Sequence, residues 1–174
     1  MAVRKILRIG DSRLREKSEP VDAFATPELD ELVRDMLDTM TAADGAGLAA
    51  IQIGVPRRVM IFGFDSNPRY PEVGPIPFTV LVNPDFHVLD AEMDGGWEGC
   101  LSVPEMRGFV QRHGRIRYHG FDQHGEEITR EVDGFHARVF QHEFDHLEGI
   151  LYPDLLDDPL KFGFWEELEA SGLM

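Results

Sequence analysis

Apolar residues recur at three- and four-residue steps between Thr26 and Met40, so that Leu29, Leu32, Val33, Met36, Leu37 and Met40 share one face of a helix. Thr26 suits the cap of that helix, Pro27 its first position and Gly45 its exit. A Leu and Met stripe of this kind is scaffold rather than a cofactor box. Gly45–Gln52 reads as a glycine-interrupted turn into short apolar sequence. Four runs rich in β-branched and aromatic residues read as strands: Val59–Phe64, Phe78–Val82, Arg115–Phe121 and Glu127–Val132. Between the first two, Asp65–Pro77 carries Pro68, Pro71, Pro75, Pro77 and Gly74, and predicts an irregular surface loop. Gln123-His124-Gly125 predicts a hairpin turn. A second helix is expected over Phe135–Leu147 and a short third one over Phe162–Leu168. The expected architecture is α+β: one domain over residues 1–174, with short mixed or antiparallel strands wrapped around a central buried helix.

Composition narrows the classes. A chain of 174 residues can bury a core without disulfides, and 43% hydrophobic with 28% charged residues excludes a disordered chain. No apolar run approaches the ~20 residues needed to span a bilayer. The N-terminus has basic residues, but it lacks a long apolar stretch and Asp11 and Glu16 follow at once. A mature cytoplasmic protein is therefore expected. The net charge of −15 disfavours direct binding to nucleic acid and otherwise serves solubility. Cys100 is the single cysteine, which excludes an internal disulfide. It leaves a buried thiol, a nucleophile or a metal ligand, and by itself favours the buried thiol.

Candidate chemistry concentrates in Gln141–Gly149. His142 and His146 are four residues apart, so on a helix both imidazoles share a face and can grip one ion. Glu143 stands beside the first ligand, where its carboxylate can reach an attacking water without occupying the ion. His87, His113, His119, His124 and His136 have no such spacing and read as surface or structural groups. A third ligand is still needed. Glu148 is too close along the helix; Glu166, Glu167 and Glu169 are available but unmarked; Cys100, in Trp97–Ser102, offers a soft thiolate beside a glycine that permits close approach.

At this point the sequence resembles the peptide deformylase family, the enzymes that remove the N-formyl group from newly made proteins. Three motifs carry the resemblance: G-x-G-L-A-A-x-Q at Gly45–Gln52, E-G-C-L-S at Glu98–Ser102, and Q-H-E-x-D-H-L-x-G at Gln141–Gly149. Ile9–Arg15 and Val103–Arg107 are also similar, so the likeness runs from the N-terminus to about Asp154. The resemblance implies Cys100, His142 and His146 as ligands of one divalent ion, ferrous iron in the usual native form, with zinc, nickel or cobalt able to substitute. It implies Glu143 as proton carrier, with the Gln52 side-chain amide and the Leu101 backbone N–H stabilising the oxyanion. Gly45, Ala46 and Gly47 would lie along the substrate backbone, and Arg107 near the methionine pocket. N-formylmethionyl nascent peptides are the implied partners.

Several positions depart from the commoner pattern. Ile51 stands where many members have proline, and Ala46 is small where many have a larger aliphatic. Arg138 lies one turn before His142, where some members place an aliphatic residue. After Arg138, Lys161 is the only Lys or Arg, so ribosome docking through this acidic tail is not expected. Two rivals remain. A peptidase of internal bonds would share the helix but leave Cys100 and the other two motifs unexplained. A non-catalytic metal-binding module would normally close its site with four ligands and would have no use for Glu143.

Overall fold

A computed structural model describes residues 2–174. The first helix, α1 (Pro27–Ala42), begins where its cap signal lies: Thr26 has extended backbone and its hydroxyl accepts from the Leu29 N–H at 3.2 Å. Next come β1 (Gly47–Ala49) and a 3-10 turn at Ala50–Ile53, then β2 (Val59–Phe64) and β3 (Ile76–Val88). A hairpin of β4 (Met93–Cys100) and β5 (Val103–His113) precedes β6 (Arg115–Phe121), β7 (Glu127–Asp133) and α2 (Gly134–Leu147). The chain closes with β8 (Phe162–Phe164) and α3 (Trp165–Ala170).

Two antiparallel sheets result, one in the order β1-β2-β3-β6-β7 and one in the order β4-β5-β8. The β1–β2 end of the larger sheet is buried on both faces, whereas β6 and β7 alternate with an exposed face. Val59 and Ile61 of β2 pack with Leu29, Val33, Met36 and Met40 of α1, while Met60 and Phe62 pack with Ala137, Val139, Phe140 and Leu147 of α2. Burial on both sides is why β2 is continuously apolar rather than alternating. Gly63 bulges the β2–β3 pairing at a φ of +121°, and a Cβ there would sit 2.6 Å from the Pro77 carbonyl oxygen. Tyr118 stacks on Phe140 with centroids 4.6 Å apart, locking α2 against β6. As expected, α2 is a largely buried helix held among antiparallel strands.

Three features differ from the sequence expectations. The β4–β5 hairpin forms where no strand was predicted. The helix expected over Phe162–Leu168 is instead β8 followed by α3, because Phe162–Phe164 pairs with Met106–Gly108 of β5. The segment 65–77 is irregular up to Ile76, as expected, but it is not purely surface: Asn67 is buried and Arg69 and Tyr70 are half-buried. No helix among the described residues is long and apolar enough to cross a membrane.

Candidate metal centre and active site

The site forms where β1, an edge strand of the larger sheet, meets the C-terminal end of β4, an edge strand of the smaller one, with α2 beneath. Helical spacing puts His142 and His146 on one face of α2, and β4 ends on Cys100 opposite them. The ligating atoms of Cys100, His142 and His146 all lie within 4.8 Å of one another, and all three residues are buried. Cys100 Sγ is 3.2 Å from His146 Nε2. One soft thiolate and two imidazoles is a donor set suited to iron or zinc. Two orphaned polar atoms, Glu143 Oε2 and His146 Nδ1, are buried in the same place without a hydrogen-bond partner. The residues therefore fit a single divalent ion.

The electrostatics prepare the donors. Burial alone would raise the Cys100 thiol, but the charge of His146 and hydrogen bonds from His142 and His146 outweigh it and bring the thiol well below its ordinary range. Burial would lower His142, yet its bonds to Cys100 and Glu98 hold it well above its usual value. Glu143 goes the other way. Burial raises it to about 7, against the opposing charges of His142 and His146.

Beneath the donors lies a network that sequence reasoning missed. His142 Nδ1 is 2.8 Å from Glu98 Oε2, which leaves Nε2 as the nitrogen free to ligate. Glu98 is 3% exposed and takes a forked pair from Arg112, Nε to Oε1 at 2.9 Å and Nη2 to Oε2 at 3.0 Å. Arg138 adds a third bond, Nη1 to Oε1 at 3.0 Å, and donates to the Asp94 carbonyl at 2.6 Å. Arg112 also pairs with Asp145. Arg138 lines the cavity, but its charge faces Glu98 and the backbone of β4.

Gln52 is fully buried, and its side-chain oxygen accepts from the Ala49 N–H at 2.8 Å. That bond fixes the amide so that Nε2 points into the site, 3.1 Å from the Ser102 hydroxyl and 3.6 Å from Cys100 Sγ. Ala46, Gly47 and Leu101 line the cavity with Gln52, Cys100, His142 and Glu143. A Cβ on Gly47 would lie 2.7 Å from Cγ and Cδ of Glu143, so only glycine leaves room for that carboxylate. Two expected residues sit outside the cavity. Gly45 packs against Leu101 and Met40, and Arg107 lies behind Gly99 with its guanidinium 4.5 Å from the Trp165 ring.

A family model described as polypeptide deformylase matches residues 3–161. The chain belongs to the peptide deformylase family. It is 58% identical over 166 residues to peptide deformylase 2 of Ralstonia nicotianae, covering 95% of this chain and 94% of that one. Peptide deformylase 1 of Nitrosomonas europaea is 53% identical with the same coverage. Among solved structures, the Met-Ala-Ser-bound class I type b peptide deformylase of Acinetobacter baumannii superposes with a TM-score of 0.86 at 36% identity, over 89% of this chain and 99% of that chain. The peptide deformylase of Thermotoga maritima gives a TM-score of 0.79 at 35% identity, over 91% of this chain and all of that one. The deformylase reaction, removal of the N-formyl group from nascent polypeptides, is thus the activity of this chain, and the α+β architecture expected from sequence is that of its structural neighbours.

Proposed function

We propose that residues 1–174 act as one catalytic domain in which Cys100, His142 and His146 hold a single ferrous ion, replaceable by zinc, nickel or cobalt. A bound ion would supply Lewis acidity, lowering the pKa of water towards neutrality and polarising the formyl carbonyl. The protein does the rest. The free edge of β1 offers backbone groups to a peptide laid along Gly45, Ala46 and Gly47, so that the substrate enters as an added strand. Glu143 takes a proton from the water that adds to the formyl carbon. As the C–N bond breaks, Glu143 delivers that proton to the departing amine, and formate leaves. A carboxylate raised to about 7 both accepts and gives up a proton near neutral pH. Negative charge developing on the formyl oxygen is met by the Gln52 amide and the Leu101 N–H; one such donor is typically worth ~3 kcal/mol. Ala46, Phe135 and Val139 offer the apolar wall for the methionine side chain, and Arg107 lies near that pocket behind Gly99.

What supports this reading most directly is the convergence of one sulfur and two imidazoles beside a buried, unpartnered Glu143 oxygen. Metal-loaded protein should release formate from formyl-Met-Ala-Ser and leave the tripeptide intact. Glu143→Gln should retain the metal and lose nearly all turnover; full activity in that variant would refute the assigned role. We also propose a cytoplasmic enzyme that meets nascent chains without docking on ribosomal RNA. Exposed Glu166, Glu167 and Glu169 on α3 would be repelled by phosphate. Ribosome pelleting at physiological salt should show no binding that depends on the acidic C-terminal tail from Asp154 onwards.

A further inference from the structure

The proline-rich segment 65–77 forms part of the site wall. Buried Asn67 anchors it, donating from Nδ2 to the Asp44 carbonyl at 3.2 Å and accepting from the Arg69 N–H at 2.9 Å. Tyr70 then packs on Phe135 with ring centroids 4.7 Å apart. This places both Arg69 and Tyr70 on the wall of the cavity that holds Cys100 and Glu143.

The Arg69 guanidinium has no carboxylate or other hydrogen-bond partner among the described residues; its only bond is made by the backbone N–H. Arg107 is alike. It is 4% exposed, donates once, to the Met106 carbonyl at 3.2 Å, and has no carboxylate partner among the described residues. Its guanidinium lies against Gly99, itself part of the cavity wall. Burial lowers its pKa, and the Arg69 charge adds to that against an opposing contribution from Tyr70. By contrast, the similarly enclosed Arg58, Arg112 and Arg138 are each paired with a carboxylate. Arg69 on the cavity wall and Arg107 enclosed behind Gly99 thus put two cations without a carboxylate partner on the same side of the site, in a chain of net charge −15, and their summed field favours an arriving anion.

We propose that Arg69, with the charge of Arg107 behind Gly99 adding to its field, forms a carboxylate-reading subsite for the second or third residue of the formylated peptide, so that the enzyme favours substrates carrying Asp, Glu or a free terminal carboxylate there. This rests on the deformylase reading of the same site, which sets the direction of the peptide. Gly47 lies against Glu143, whereas Asp44, to which Asn67 is tied, is three residues back along the chain. At ~3.3 Å per residue, a peptide paired with β1 and starting at the reacting end comes beneath the loop after two or three residues.

The test compares formyl-Met peptide amides with Glu or Gln at position two, and separately at position three, at low salt. The expected result is a kcat/KM ratio of about fivefold or more in favour of Glu at one of these positions, carried mainly by KM. The overall charge alone predicts the opposite sign, since an acidic protein repels acidic peptides. Arg69→Gln should bring the ratio close to one, and Arg69→Glu should turn the preference towards Lys. Formyl-Met-Ala as free acid and as amide separates a terminal carboxylate from a side chain. Calorimetric binding of the deformylated products Met-Glu-Ser-amide and Met-Gln-Ser-amide makes the same comparison without turnover. A wild-type ratio within about twofold of one at both positions, or a preference that survives Arg69→Gln, overturns the subsite. Glu-selective product binding without formate release would instead overturn the assigned reaction and leave the subsite standing.

Discussion

Glu98→Gln perturbs the centre without touching a proposed ligand. Glu98 has a side chain 4% exposed and meets three cationic or donor groups at once: Arg112 at 2.9 and 3.0 Å, Arg138 at 3.0 Å and His142 at 2.8 Å. Glutamine keeps the shape but removes the charge and turns one oxygen into an NH2. Whichever way that amide is set, it faces two donors that formerly found an acceptor. Breaking a buried ion pair from one side typically costs ~3–5 kcal/mol. Arg112 keeps Asp145, and Arg138 keeps the Asp94 carbonyl, so the lower end, about 3 kcal/mol, is expected. His142 would also lose the bond that orients it, which should weaken metal binding roughly 10–100-fold. Urea unfolding of the metal-free proteins reads the first effect, and zinc titration against a chromophoric chelator reads the second. Acid should narrow the difference. Burial raises the Glu98 carboxyl, but the His142 bond and Arg112 outweigh that and hold it well below the usual range. Its stabilisation is therefore present above about pH 4.3 and fades as pH falls further. A stability change below about 1 kcal/mol together with unaltered zinc affinity would refute the network's role.

Gly47→Ala should preserve metal content yet reduce formate release by about 100-fold, because the new methyl displaces Glu143 from its place. In metal-free protein, Glu143→Gln should be stabilising at alkaline pH. The Glu143 pKa, raised by burial from 4.5 to about 7, means the folded state holds a proton that the unfolded state releases, so wild-type stability falls as pH rises between those values. The variant should gain roughly 3 kcal/mol at pH 8 and almost nothing at pH 4, read as the difference between paired urea curves.

Much of the scaffold could be read from pattern. The α1 stripe (apart from Leu37, which is exposed), the unbroken apolar run of β2 and the spacing of His142, Glu143 and His146 all reflect local periodicity that the fold keeps. The β4–β5 hairpin could not be read this way. Met93–Cys100 has three glycines and no alternation; its glycines make room for Phe109, Arg138 and Arg107 from neighbouring elements, so pairing with β5 rather than its own propensity makes it a strand. The same reason hid Glu98 as a second layer to the metal ligands. It bonds Arg112 across that hairpin and Arg138 and His142 from α2, contacts that only tertiary structure brings together. The presence of Glu98 in the E-G-C-L-S motif was a signal, but one without a role until His142 was placed. Arg69 and Tyr70 gave no pattern at all, since a proline-rich segment carries no periodicity to show which side faces the site.

X-ray absorption at the metal edge of the zinc-loaded protein tests the central claim most directly. One sulfur at about 2.3 Å with two imidazole nitrogens at about 2.0–2.1 Å is the expected shell. A shell of nitrogen and oxygen without sulfur would remove Cys100 from the centre and contradict the assignment.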